Sequence, residues 1–340
     1  QNDFSVVGVT LELENRSAIG MMYVERDGDG MPNALGGEDI NRTYAIDGRW
    51  GIGDFTRITG WISRTDTPGI NDDDTAGGIR WNYDSAEWTL NAGYSEVGDN
   101  FNPEVGFVSR RGFRKYEAGW RYAYRPENLW NLQELRPHMN YRGYWDFDGF
   151  QETGYLHVDN HWEFKSGMEI HTGVNFTQEG VKEPFEIVRG VTVPAGEYEH
   201  EEAQLVYWSN QGAPFSVNIQ TRIGGFFGGD RTNVDTTLRY RFGEKFNSEL
   251  TWRHSDIELP GRNGDFKVDL ARLRMTYSFT PRMSIQTLMQ YNKRDDVFST
   301  NVRFAWLQSA NAGLYLVYNE VDDEGLMAQR HDHQQSAIKY

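Results

Sequence analysis

Apolar and polar residues alternate along most of this chain. In 270–279, Ala271, Leu273, Met275, Tyr277 and Phe279 fall on one side, and Arg272, Arg274, Thr276 and Ser278 on the other. In 236–242, Leu238, Tyr240 and Phe242 oppose Thr237, Arg239 and Arg241; in 118–124, Trp120, Tyr122 and Tyr124 oppose Gly119, Arg121 and Ala123. A period of two is the mark of a β-strand, because successive side chains leave opposite faces of the pleat. Helical periodicity is nearly absent. The longest nearly apolar stretches, 5–13 and 18–24, fall well short of the about 18 residues of a membrane helix.

The pattern predicts nineteen strands, near 3–12, 17–25, 42–51, 55–65, 75–84, 86–96, 113–124, 136–147, 151–164, 167–178, 200–209, 215–227, 232–242, 247–258, 265–279, 283–294, 297–307, 312–321 and 334–340. Many reach the about 9–11 residues that a tilted strand needs to cross a bilayer. The connections sort by parity. Odd ones are mostly tight, as at Glu14-Asn15-Arg16, Ile52-Gly53-Asp54 and Gly243-Glu244-Lys245. Even ones include every long loop: 26–41, 66–74, 97–112, 179–199, 259–264 and 322–333. Short turns on one side and long loops on the other are the asymmetry of an outer-membrane barrel. The expected fold is therefore all-β, a transmembrane antiparallel up-and-down β-barrel, with 1–340 forming a single domain. The outer membrane of a Gram-negative bacterium is its expected place.

Charge follows the same division. Acidic residues crowd the long loops, as at Asp72-Asp73-Asp74. Arginines sit mid-strand on the polar side: Arg80, Arg121, Arg142, Arg239, Arg241, Arg253, Arg272, Arg274 and Arg303. Lipid cannot hold them, so they are expected to line a lumen. Trp81, Leu238, Leu273, Met275, Tyr277, Phe304 and Trp306 are expected to face lipid. Arg239, Arg241, Arg253, Arg272 and Arg274 should share one sector, with Glu249 the only obvious acid among them. A soluble sandwich or propeller is the competing architecture, but no second set of strands is left to cover the aromatic face.

The chain has 340 residues, 34 Lys and Arg against 50 Asp and Glu, a net charge of −16, 14% aromatics and a mean hydropathy of −0.70. The aromatic content is too high for a disordered chain. The absence of Cys excludes a disulfide framework and a thiolate site. The acidic balance argues against a nucleic-acid partner. No signal-peptide pattern is visible at the start. Bacterial barrels have even strand numbers, so an odd count leads us to expect further strands before Gln1 and a whole barrel of at least twenty.

The stretch 98–111, Gly-Asp-Asn-Phe-Asn-Pro-Glu-Val-Gly-Phe-Val-Ser-Arg-Arg, resembles the signature of a family of bacterial outer-membrane proteins. In that family a module similar to family-9 carbohydrate-binding modules precedes a C-terminal barrel of unassigned function. Asn41-Arg42-Thr43-Tyr44-Ala45-Ile46-Asp47, the opening Phe4-Ser5-Val6-Val7 and Ser17-Ala18-Ile19-Gly20 resemble it too. The similarity spans most of the first 125 residues and is diffuse later. It implies the location and the fold, with a hint of glycan-related biology, and it brings no catalytic residues.

Within that motif Asn102, Pro103, Glu104, Gly106 and Phe107 read as a loop anchor. Pro103 fixes φ and Gly106 permits a turn. Phe101, Val105, Phe107 and Val108 are expected to fold inward or pack on the wall, and Glu104, Arg110, Arg111 and Arg114 to pair or line a path. A loop that closes on its neighbours is at least as good a reading as a selectivity element. Asp27, Asp29 and Asn33, within Arg26-Asp27-Gly28-Asp29-Gly30-Met31-Pro32-Asn33, resemble the Asp-rich calcium loops of thrombospondin type 3 repeats. The match is partial, and a solvated acidic loop is the alternative. His331-Asp332-His333 is a further place for a metal. His157 and His161 are four apart on a strand, roughly 13 Å, too far to share one ion. No Gly-x-Ser-x-Gly, P-loop or His-Glu-x-x-His occurs, and no enzyme is expected.

Two functions then compete. One is a porin-like channel or transporter for small polar, saccharide or anionic solutes. The other is a non-conducting scaffold that holds a periplasmic or surface protein, or the upstream carbohydrate module. Membrane lipid is a partner in both, and no cofactor other than the calcium considered above is expected.

Overall fold

The computed structural model describes residues 2–28, 30, 37–261, 264–309, 312–323 and 335–339. Every regular element among them is a β-strand. The first ten are β1 (Asp3–Leu13), β2 (Ser17–Asp27), β3 (Ile40–Ile52), β4 (Thr56–Asp66), β5 (Thr75–Asp84), β6 (Trp88–Val97), β7 (Phe113–Tyr122), β8 (Leu132–Trp145), β9 (Gln151–Phe164) and β10 (Glu169–Val181). A hairpin follows, β11 (Phe185–Val188) and β12 (Val191–Val193). The wall resumes with β13 (Gly196–Trp208), β14 (Phe215–Phe226), β15 (Gly229–Phe242), β16 (Phe246–Glu258), β17 (Asp265–Thr280), β18 (Met283–Asn292), β19 (Val297–Ser309), β20 (Ala312–Asp323) and β21 (Gln335–Lys339).

Nineteen strands form one antiparallel sheet, each hydrogen-bonded to the next in chain order, with β10 passing directly to β13. The described residues include no ladder between β1 and β21. The nineteen expected strands are thus present, with boundaries that shift by a few residues. The starts of β13 and β8 shift most, β13 from 200 to Gly196 and β8 from 136 to Leu132. In β8 Pro137, which lacks an N–H, is carried inside the strand, and a register irregularity lies between Leu132 and Glu134. The expected loop 179–199 is the other departure. It contains the β11–β12 hairpin, turned at Gly190 with φ 85°.

The tight turns 14–16, 53–55, 85–87, 243–245 and 281–282 lie along one rim, and the long connections 67–74, 98–112 and 182–195 along the other. Asn15 and Arg16 have φ of 54° and 59°, the left-handed pair that a tight turn between right-twisted strands requires. Gly53 and Gly243 serve the same purpose, each with φ 56°.

Cross-strand pairing fixes which side chains share a face, since directly paired residues point the same way. One face carries Trp81, Leu238, Leu273, Met275, Tyr277, Phe304 and Trp306, as expected; Leu238 pairs with Leu250, which pairs with Leu273. This face remains largely uncovered: Ile62, Ile79, Trp81 and Trp306 are all exposed. Among the described residues no layer packs on it, which is the condition of a wall whose apolar side meets lipid. Buried apolar clusters occur instead at the long-loop rim. Val191 and Val193 of the hairpin pack on Ile257 and Leu259, and Phe101 packs on Ala76 and Val97.

Candidate functional site

The pairing places all nine expected arginines on the face opposite the aromatic and aliphatic band. Most of them are not bare charges. Arg80 pairs with Glu117, which also takes Lys115 at 2.5 Å. Arg121 donates to Thr89 Oγ1 at 2.9 Å. Arg142 lies over the Tyr155 ring at 5.0 Å and Arg303 over Tyr315 at 4.7 Å.

The expected cluster of five arginines is present on β15–β17, with two corrections. Glu249 is not the only acid. It holds Arg239 at 2.9 Å and Arg272 at 3.4 Å, while Asp235 on β15 faces Arg253 at 3.6 Å. Asp235 was missed because it lies on the same strand as Arg239 and becomes the partner of Arg253 only through the ladder. Arg241 shares the face but turns to the rim, where it donates to the carbonyls of Gln211, Gly212 and Ala213 at 3.2, 2.8 and 3.0 Å. Arg274 is exposed and forms no ion pair among the described residues.

The Asn-Pro-Glu-Val-Gly motif is a loop anchor. Asn41, itself buried, donates from Nδ2 to the Asn102 carbonyl at 2.9 Å and to Thr67 Oγ1 at 2.8 Å, and its Oδ1 accepts the Glu104 N–H at 3.2 Å. The Asn102 N–H donates to Thr65 Oγ1 at 3.0 Å. Arg26 bridges the Glu104 and Asp39 carboxylates, both at 2.5 Å, and its hydrogen bond holds the Asp39 carboxyl below the usual range. Thus two of the stretches that carry the resemblance, 41–47 and 98–111, are stitched together at the long-loop rim.

Arg110 pairs with Glu152, Arg111 donates to Asn102, and Arg114 lies over the Phe147 ring at 4.7 Å. Phe101 and Val108 pack inward as expected. Val105 and Phe107 do not: they are 41% and 91% exposed. The turn closes with the Gly106 N–H on the Pro103 carbonyl at 2.9 Å, but the positive φ of the loop falls on Gly112, at 69°.

Of the calcium candidates, Asp27 ends β2, paired with Ile40; Asp29 and Asn33 lie outside the described residues, as do His331, Asp332 and His333. His157 and His161 both point to the polar face, on either side of Asp159.

No known protein family and no curated protein matches this chain. Solved structures do. The ferric-catecholate import receptor Fiu from E. coli K12 is similar with a TM-score of 0.56 at 8% identity, over 94% of this chain and 68% of that one. The siderophore receptor PirA from Pseudomonas aeruginosa gives 0.54 at 11%, over 94% and 67%. The ferric yersiniabactin uptake receptor FyuA from Yersinia pestis gives 0.50 at 12%, over 98% and 69%. At such identities the likeness shows the fold, that of an outer-membrane β-barrel.

Proposed function

We propose that this chain works in the outer membrane of a Gram-negative bacterium as the wall of a transport barrel, its arginine-bearing face lining the path of small polar solutes. The observation that carries this is the placement of nine arginines on one face of a continuous sheet whose other face is apolar and uncovered. The three similar structures are a ferric-catecholate import receptor, a siderophore receptor and a ferric yersiniabactin uptake receptor, which supports import as the activity.

Within that activity, anionic solutes suit the wall better than saccharides. Sugars stack on bare aromatic faces, and here Tyr155 and Tyr315 already lie under guanidinium groups. Arg274, exposed beside the shared carboxylate Glu249, offers its fork of donors to a carboxylate or phosphate. An upstream carbohydrate-binding module and glycan-related biology belong to the same proposal only through the sequence resemblance.

Planar-bilayer recording tests it. The protein should conduct, and Gln in place of Arg239, Arg241, Arg272 and Arg274 should shift the reversal potential toward cations. Silence of both proteins, with a bound protein lost from the variant on pull-down, would replace the transport reading with the scaffold.

A further inference from the structure

On the polar face of β8, β9 and β10, imidazoles surround one carboxylate. The ladders set His138 opposite Asp159, His157 opposite Asn175, and His161 opposite His171. The Asp159 side chain is 0% exposed, and its Oδ1 has no hydrogen-bond partner among the described residues. Among the described residues neither a guanidinium nor an ammonium pairs with it. Its Oδ2 meets His157 Nε2 at 3.5 Å, His161 Nε2 at 3.9 Å and Gln204 Nε2 at 3.3 Å. The nearby Arg136 is held by Glu134, Glu163 and Glu169, at 3.5, 3.4 and 2.5 Å. A buried carboxylate with a bare oxygen and no strong cation is costly unless positive charge is supplied.

The rings beside it are oriented to help supply it. His138 Nδ1 lies 3.1 Å from the Arg136 carbonyl, which can only accept, so Nδ1 carries the proton and Nε2 the lone pair. His157 Nδ1 lies 2.6 Å from Asn175 Oδ1, which also accepts from the Tyr155 hydroxyl at 2.8 Å, and this selects the same tautomer. Such outer hydrogen bonds are what fixes a metal-ligating histidine. Ligand atoms of His138, His157 and Asp159 lie within 4.8 Å of one another, a spread that small side-chain rotations close onto one ion.

A second group, Asp159, His161 and His171, shares the carboxylate. There Glu169 already engages the rings, at 2.9 Å from His171 Nε2 and 3.1 Å from His161 Nδ1. The first group is therefore the better site. His157 and His161 fall in different groups, although the Nε2 of each approaches the same Asp159 oxygen. Gly173, opposite Asp159, makes room: a Cβ there would stand 2.9 Å from Asp159 Cγ. Cavities of about 320 and 400 Å³ open beside His138 and His157 respectively, giving access from the polar side.

We propose that His138, His157 and Asp159 bind a divalent transition-metal ion of the class that takes imidazole with carboxylate, such as Zn²⁺, Co²⁺, Ni²⁺ or Cu²⁺. Two imidazoles and one carboxylate leave coordination positions open to water or to a chelating solute. The site stands apart from the arginine sector and does not depend on transport.

The test is titration of the untagged full chain in detergent micelles with Co²⁺, read by its visible absorption, followed by displacement with Zn²⁺. One ion should bind these residues. His138→Gln and His157→Gln should each weaken it by at least about 100-fold, the upper end of what loss of a supporting group costs. His171→Gln should change it less than about threefold. Heat-modified gel migration shows that each variant is folded, and if Asp159→Asn does not fold the two histidine variants still decide. Absence of saturable Co²⁺ binding, binding that survives both histidine variants, or loss of binding in His171→Gln would overturn the proposal.

Discussion

The histidine sector on β8–β10 and the arginine sector on β15–β17 use the same strand geometry to opposite ends. In the first, Gly173 leaves room for a carboxylate to lie buried between strands, and Glu169, 15% exposed, joins Arg136, His161 and His171. In the second, Glu249 joins Arg239 and Arg272, whose side chains are 43% and 40% exposed. Polar residues on the inner side of a β-wall are thus not one kind of surface. Where a glycine leaves room and imidazoles close around a carboxylate, charge is desolvated and geometry is fixed. Where the neighbours are long and forked, charge stays in water and is free to meet a solute.

Both sectors should have lipid behind them, and an arginine placed there should have the greatest consequence. Leu273→Arg behind the arginines and Val158→Arg behind the histidines should each cost about 2–4 kcal/mol, the range for a cation near the bilayer midplane. Thr276→Arg, on the polar face of β17, should be nearly silent. Denaturant unfolding in lipid vesicles measures all three, and equal costs at Leu273 and Thr276 would mean that the faces do not differ in solvent.

A smaller effect sharpens the contrast between the sectors. Glu169→Gln should cost about 2 kcal/mol, between the values for surface and buried pairs, because it removes the shortest of the three carboxylate contacts of Arg136 in a largely dry setting. Glu249→Gln should cost less than about 1 kcal/mol, since exposed pairs contribute little. The same unfolding measurement applies; a Glu249 variant as damaging as the Glu169 variant would erase the distinction.

The smallest effect belongs to the long-loop rim, outside both sectors. Lys182 lies 2.7 Å from Asp146 and holds its carboxyl below the usual range, while the Phe150 N–H donates to Asp146 Oδ1 at 2.8 Å. A depressed carboxyl pKa contributes stability above the ordinary Asp value of about 3.9, and that contribution is lost as pH falls through the lower folded value. Protection of the Phe150 amide, corrected for intrinsic exchange, should therefore decline on acidification below about pH 4 before that of the strand amides. Protection unchanged to pH 2 would show that the Asp146 contact does not hold the turn.

Much of this protein could be read from its sequence by itself. Period-two alternation such as Leu273, Met275 and Tyr277 against Arg272, Arg274 and Thr276 determined the strands and their faces, because a pleated strand sends neighbours to opposite sides whatever it pairs with. The parity of short and long connections determined the meander. Packing decided what alternation could not specify: Phe101 is buried and Phe107 exposed within one motif, because only Phe101 meets Ala76 and Val97. Register decided the sites. Asp235 reaches Arg253 across one ladder, and His138 meets Asp159 across another, partners separated by about twenty residues of chain that share no local pattern. A one-residue slip would send each partner to the opposite face, so those encounters exist only once the strands are aligned.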